Sequence, residues 1–269
     1  MKRIISNMLT KLSLIGQVRK QSAARAWKRE QRAKEAITCL KLTGHNPKSG
    51  VLLDLGCGLG YLTRYFSKLG IESVGVDILS HKIKIAKKKV FRSGNFILTD
   101  GVKLPFREEC FTTVILNDVL EHVPYTLAKP MLIEVERTLK AGGKLFISVE
   151  SRCMVREGHS LIPFLTWFPK PCWNAIYKIF TEHPVYPFYP YTIGELKRVC
   201  SETNLTYRNY TWFYAWNKIL NAKGIGDPTL RKIVKMISKL KLSKPAYVIA
   251  EKVSVILFIC EKVDSTSNP

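Results

Sequence analysis

No CxxC pair occurs among the seven cysteines of this chain, at positions 39, 57, 110, 153, 172, 200 and 260, and their odd number leaves no even disulfide framework. The common zinc spacings are therefore excluded and no metal site is expected. The thiols fit a reducing, intracellular compartment. Long hydrophobic runs are also missing: no stretch reaches the ~18 apolar residues of a membrane-spanning helix. The most apolar region, Leu161 to Phe180, is interrupted by Pro163, Lys170, Pro171 and Lys178. Met1 to Gly16 is basic but has no continuous apolar run and no small-residue cleavage site, so it is expected to remain in the mature protein rather than act as a secretory signal. No internal repeat is visible.

Acidic residues are scarce, with 21 Asp and Glu against 43 Lys and Arg, a formal net charge of +22. Such an excess draws a protein toward nucleic acid, anionic lipid or acidic substrates without choosing among them. Solubility, or life at high temperature, is the plainer explanation. Much of the excess lies early: residues 1–50 hold 12 Lys or Arg against Glu30 and Glu35 alone. What remains is ordinary for a folded protein. A length of 269 residues with 46% hydrophobic and 24% charged composition can bury a substantial core. It fits one domain with insertions better than two equal domains.

Four segments follow. Residues 1–49 read as basic helices, one with Ile4, Ile5, Met8, Leu9, Leu12 and Ile15 at helical spacing and a second over Ala23 to Leu42. Residues 50–150 alternate short β-branched runs with helical stretches, the pattern of βαβ units around a parallel sheet. The strands are Val51 to Leu55, Ser73 to Val76, Asn95 to Leu98, Thr113 to Leu116 and Lys144 to Val149. The helices are Tyr61 to Leu69, His81 to Phe91 and Lys129 to Leu139, the last ended by Gly142 and Gly143. Residues 151–191 form an insertion too rich in proline and aromatics for a linker. Residues 192–269 add a helix from Thr192 to Ser201, strands at Thr206 to Tyr214 and Val253 to Cys260, and a basic helical insertion from Thr229 to Leu242, completing the sheet.

The chemistry concentrates where strands end. Asp54-Leu-Gly-Cys-Gly-Leu-Gly60 follows the first strand and opens a helix, the context of a nucleotide-binding glycine loop. Glycine there permits positive φ and close approach of a ligand to the backbone. Alone, such a loop is a weak signal. Asp77 ends the second strand, 23 residues after Asp54, where a carboxylate can accept hydrogen bonds from both hydroxyls of a ribose. Asp100 follows the third strand, where it could receive the exocyclic amine of adenine. Three acids thus end three successive strands at the edge where such folds bind ligands. A dinucleotide site is the competing reading, but the loop is GxGxG rather than GxGxxG and an acid precedes it.

With these residues the chain resembles the class I S-adenosylmethionine-dependent methyltransferases, particularly the group related to ubiquinone and menaquinone biosynthesis. The resemblance runs from Val51 to Val149 and extends weakly to Tyr191-Thr-Ile-Gly-Glu-Leu196. It rests on Asp54 to Gly60, Gly75-Val-Asp77, Asp100 to Phe106, Leu116-Asn-Asp-Val-Leu-Glu-His-Val123 and Leu139-Lys-Ala-Gly-Gly-Lys-Leu145. It implies a Rossmann-like α/β fold: a mostly parallel seven-stranded sheet, helices on both faces, and an antiparallel last strand. It implies S-adenosyl-L-methionine as cofactor, held by the loop residues Asp54, Gly56, Cys57, Gly58 and Gly60. Gly56 and Gly58 would pass under the methionine part, Asp77 hold the ribose and Ile78 pack on adenine. Asp100 and Gly101 would address the adenine edge, and Asn117 lie beside the methionine moiety. One departure is Ala141, where the family usually has proline; the position only shapes a turn.

The acceptor is less legible. Transfer from a sulfonium needs an aligned nucleophile but no acid, and a base only if the accepting atom loses a proton. Candidate bases are Asp118, Glu121 and His122 after the fourth strand, and His159 and His183 in the insertion; none is assigned. The Asn/Asp-Pro-Pro-aromatic pattern of many amine and amide methyltransferases is missing, which argues against nucleobase amines and glutamine. The insertion stands where a substrate lid belongs. It reads as a cap completing the core, as a hydrophobic acceptor pocket, or as a wedge on a membrane surface. The expected acceptor is a hydrophobic or lipid-linked small molecule, and the expected location is cytoplasmic with peripheral contact at the membrane face. An RNA methyltransferase using the basic surface, and a non-catalytic cofactor-binding protein, remain as alternatives.

Overall fold

In the computed structural model, which describes residues 26–90, 95–155, 160, 162–211 and 255–263, seven strands form one sheet in the order β3-β2-β1-β4-β5-β7-β6. They are β1 (Leu52–Leu55), β2 (Ser73–Asp77), β3 (Asn95–Leu98), β4 (Phe111–Asn117), β5 (Leu139–Val149), β6 (Leu205–Asn209) and β7 (Ile256–Lys262). The first five are parallel, and β7 runs antiparallel to both of its neighbours, β5 and β6.

Strand periodicity explains why helices cover both faces. Leu53, Val114, Leu116, Leu145 and Ile147 point to one side, where they bury Met131, Leu132 and Val135 of α4 (Tyr125–Thr138) and Leu196 and Cys200 of α6 (Ile193–Ser201). Their chain neighbours Leu52, Ile115 and Phe146 point to the other side. There they meet Ala33, Ala36, Ile37 and Leu40 of α1 (residues 26–42) and Leu62 and Phe66 of α2 (Tyr61–Lys68). A strand buried on both faces reads as a continuous apolar run, as Val114 to Leu116 of β4 do. Beside α2, α3 (Ser80–Ile85) continues into a π-helical turn, Ala86–Val90, where a single α-helix to Phe91 is expected from the sequence.

Other boundaries also shift. The fourth helix begins at Tyr125, four residues before the sequence suggests, because Pro124 starts it and Pro130 is tolerated one turn further in. It ends at Thr138, not at the glycine pair: Leu139 is already extended and pairs with Phe111. Gly142, at φ 70°, instead serves a bulge, since β5 advances from 139 to 144 while β4 advances from 111 to 113. The sixth strand is shorter than expected, and the seventh lies further along the chain. The helices read at Ile4 to Ile15 and Thr229 to Leu242 lie outside the described residues.

Between β5 and α6 the chain builds a small lobe. Ile162, Leu165, Trp173, Tyr177 and Tyr186 form its own cluster around α5 (Trp173–Thr181). The lobe returns to the body at Tyr191, whose N–H donates to the Glu150 carbonyl (3.1 Å) and whose carbonyl accepts from Arg152 N–H (2.8 Å). No described helix is long and apolar enough to cross a membrane.

Candidate functional site at the carboxyl edge of the sheet

The strand order brings the carboxyl ends of β3, β2, β1 and β4 into one row, so Asp100, Asp77, the glycine loop and Asn117 follow one another along a single edge. The loop is fixed from below and from the side. The Gly56 and Cys57 N–H groups donate to the Val76 carbonyl (2.8 and 2.9 Å), and the Gly58 N–H donates to Asp77 Oδ2 (2.8 Å). Asp77 Oδ1 accepts from Leu79 N–H (2.9 Å), so this one carboxylate holds the glycine loop and the turn after β2 together.

The loop glycines have different reasons to be glycine. A Cβ on Gly56 would strike Val119, and one on Gly60 would strike Phe96. At Gly58 (φ 56°) no atom lies within 4 Å of that position, so a ligand has room there. Gly101 lacks a side chain because Met131 packs against it. Asp54 is buried and its Oδ2 accepts the Thr63 hydroxyl (2.5 Å), tying β1 to α2. Burial pushes its carboxyl up to about 6, against the pull of Thr63 and Arg29. Cys57 is buried, and burial raises its thiol. Ile78, a large apolar side chain beside Asp77, is 62% exposed. Asp100 is exposed, its Oδ1 accepting from Val102 N–H (3.1 Å).

Asn117 ends β4 at 5% exposure, and neither its Oδ1 nor its Nδ2 has a hydrogen-bond partner among the described residues. An orphaned buried amide costs about 1–3 kcal/mol unless something answers it. Asp118 follows at φ 54° and accepts from the Ser148 hydroxyl (3.1 Å). Two arginines of α1 reach the same carboxylate: Arg29 Nη1 lies 3.3 Å from Oδ2 and Arg32 Nη2 3.8 Å from Oδ1. Nothing in the sequence of α1 points to this edge.

Of the candidate bases, Glu121 is buried with Oε2 unpaired among the described residues. Burial, then Asp118 and Glu150, raise it well above the ordinary carboxylate range, with Arg32 opposing. His122 is exposed, its ring edge on Phe188 of the lobe (5.4 Å). Tyr189 N–H donates to the Glu121 carbonyl (2.7 Å), so the lobe's last residues lie over this turn. His183 stacks on Tyr177 within the lobe, and His159 lies outside the described residues.

A family model described as a methyltransferase domain matches residues 53–147. An uncharacterised protein of Methanocaldococcus jannaschii is 36% identical over 119 residues, 44% of this chain and 52% of that protein. The mitochondrial ubiquinone biosynthesis O-methyltransferase of Mus musculus is 33% identical over 117 residues, 39% of this chain and 30% of the relative. The chain thus spans about half or less of these relatives. Among solved structures, geranyl diphosphate C-methyltransferase from Streptomyces coelicolor, in complex with Mg2+, geranyl diphosphate and S-adenosyl-L-homocysteine, superposes at TM-score 0.52. It is 14% identical and covers 87% of this chain and 77% of that one.

Proposed function

We propose that this chain, whose residues 53–147 match a methyltransferase-domain model, is a class I S-adenosylmethionine-dependent methyltransferase and that it methylates a hydrophobic or lipid-linked small molecule. The observation that carries this reading is the open Gly58 beside the orphaned Asn117 amide, flanked by Asp77 on the neighbouring strand. Space, a carboxylate and an unanswered amide fit the methionine and ribose of the cofactor. In this reading Gly56, Cys57, Gly58 and Gly60 form the floor, and Asp77 accepts from the ribose through its remaining lone pairs. Ile78 covers adenine, Asp100 and Gly101 face its edge, and Asp54 keeps the loop in shape through Thr63.

Bound S-adenosylmethionine supplies a methyl group on a sulfonium, open to displacement by a nucleophile. The protein's share is alignment and exclusion of water, worth much of the barrier. Where the accepting atom carries a proton, Glu121, buried in the turn after β4 with Oε2 unpaired among the described residues, is the candidate to take it. The lobe acts as the acceptor's cover, supported by its contacts at Tyr189 and Phe188 with the Glu121 turn. A cytoplasmic enzyme with peripheral membrane contact goes with this reading. The RNA alternative gains no support from the relatives.

Calorimetric titration with S-adenosylmethionine tests the cofactor half: Asp77→Ala is expected to weaken binding by about 1.5–3 kcal/mol, from loss of a charged acceptor. Unchanged affinity in a folded variant would move the ribose elsewhere. For the acceptor, label from radioactive S-adenosylmethionine in fractionated cell extract is expected in lipid or small molecules. Label confined to RNA or protein would overturn the acceptor reading.

A further inference from the structure

The lobe exposes more apolar surface than its packing requires. Its cluster of five buried residues is complete without Phe164, Trp167, Phe168, Ile179, Phe180 and Val185, all of which face solvent. Ile179 and Phe180, adjacent on the last turn of α5, are 78% and 65% exposed. Scattered exposed apolar residues are normal, but six large ones on one small lobe mark an interaction surface.

Two details show that this exposure is built rather than incidental. Phe164 adopts φ 61°, an uncommon conformation for a bulky residue. It is held there by its N–H donating to the Val155 carbonyl (2.7 Å), with its ring at 5.1 Å from the Trp167 ring. Trp167 directs its indole N–H inward to the Cys153 and Met154 carbonyls (3.1 and 3.0 Å). The polar end of this side chain is thereby satisfied within the lobe while the ring stays exposed. Three hydrogen bonds and a left-handed backbone thus serve to present aromatic rings to the outside.

We propose that the lobe, through these exposed apolar side chains, docks on a lipid surface carrying anionic headgroups. The charge of the chain selects this occupant. At +22, a second copy meets strong repulsion, whereas an anionic bilayer attracts the protein before apolar side chains insert. Lys178, exposed beside Ile179 and Phe180, can reach the headgroups, while Lys170 is occupied with Glu195. Docking extends the acceptor reading given above, since a hydrophobic acceptor is then collected from the bilayer. The docking itself does not depend on that reading.

The test is flotation of the full chain with vesicles of phosphatidylcholine alone and of phosphatidylcholine with phosphatidylglycerol, each at low and high salt. The wild type is expected to float with the anionic vesicles and to keep part of its binding at high salt. Ile179→Ser with Phe180→Ser is expected to reduce flotation about tenfold while melting temperature and S-adenosylmethionine affinity stay unchanged. Phe168→Ser, at a separate exposed position, is expected to act in the same direction. A wild type that stays in the bottom fraction overturns the proposal. So does a variant that floats equally well, or wild-type flotation abolished by salt as completely as a purely electrostatic contact. Light scattering that finds a dimer broken by Ile179→Ser with Phe180→Ser, without vesicle binding, would assign these side chains to self-association instead. Loss of cofactor affinity in an otherwise folded wild type would count against the enzyme reading and leave the flotation result untouched.

Discussion

At Gly58 the backbone sits at φ 56° with open space where a side chain would begin, whereas Gly56 and Gly60 are pressed against Val119 and Phe96. Gly58→Ala is therefore expected to fold with a penalty of about 1 kcal/mol from the left-handed conformation. Gly58→Val, β-branched and filling the ligand's space, is expected to abolish S-adenosylmethionine binding in calorimetry. A folded Gly58→Val protein with normal affinity would place the cofactor elsewhere. Asp54 gives a second prediction, on stability. Its folded pKa of about 6 lies above its ordinary 3.8. Stabilisation from this group is thus complete below pH 3.8 and is lost as pH rises through about 6. Across that window the urea stability of the wild type is expected to fall relative to Asp54→Asn by on the order of 3 kcal/mol. A constant difference would mean that Asp54 titrates normally. The glycine loop and the strand-end acids were legible because local spacing encodes them. The reason for Gly101 was not: it depends on Met131, thirty residues away on another element.

Among the elements, α6 and the lobe share one side chain. Thr192 and Glu195 form a reciprocal cap at the start of α6, and Glu195 Oε1 also accepts from Lys170 (2.8 Å) and Arg152 (3.2 Å). Lys170 in turn lies 3.8 Å over the Tyr125 ring of α4. Burial acts to raise the Glu195 carboxyl, but Lys170, Thr192 and Arg152 outweigh it and leave it below its usual range. Glu195→Ala is expected to cost about 1–2 kcal/mol through the cap and a half-exposed ion pair. Hydrogen exchange should quicken over 162–190 but not in β1 or β4. Uniform quickening would make the residue a global support rather than a local fastening. Sequence periodicity located α6 but neither its cap nor this fastening, because Lys170 and Arg152 come from the irregular insertion. The same limit hid the role of α1, though not the helix itself: Arg29 meets Asp118 across 89 positions of sequence, and nothing in the helical pattern of residues 26–42 points to a strand end.

For the molecule as a whole, a net charge of +22 implies self-repulsion that salt relieves. The melting temperature is expected to rise between about 0.05 and 0.5 M sodium chloride, as the screening length shortens. A fall would mean that ion pairs such as those of Asp118 outweigh the repulsion. The seven-strand count and parallel core were readable from alternating runs, but the lateral order was not, since it follows from how distant segments pair. That order sets a timetable for synthesis. Because β7 lies between β5 and β6, residues 205–209 have, among the described residues, no partner in the sheet until residues 256–262 have left the ribosome. During that interval β5 presents an open edge to every other nascent chain nearby. The parallel half of the sheet can assemble in order of translation. The finished protein must wait for its seventh strand, inserted backwards into a gap between two strands made before it.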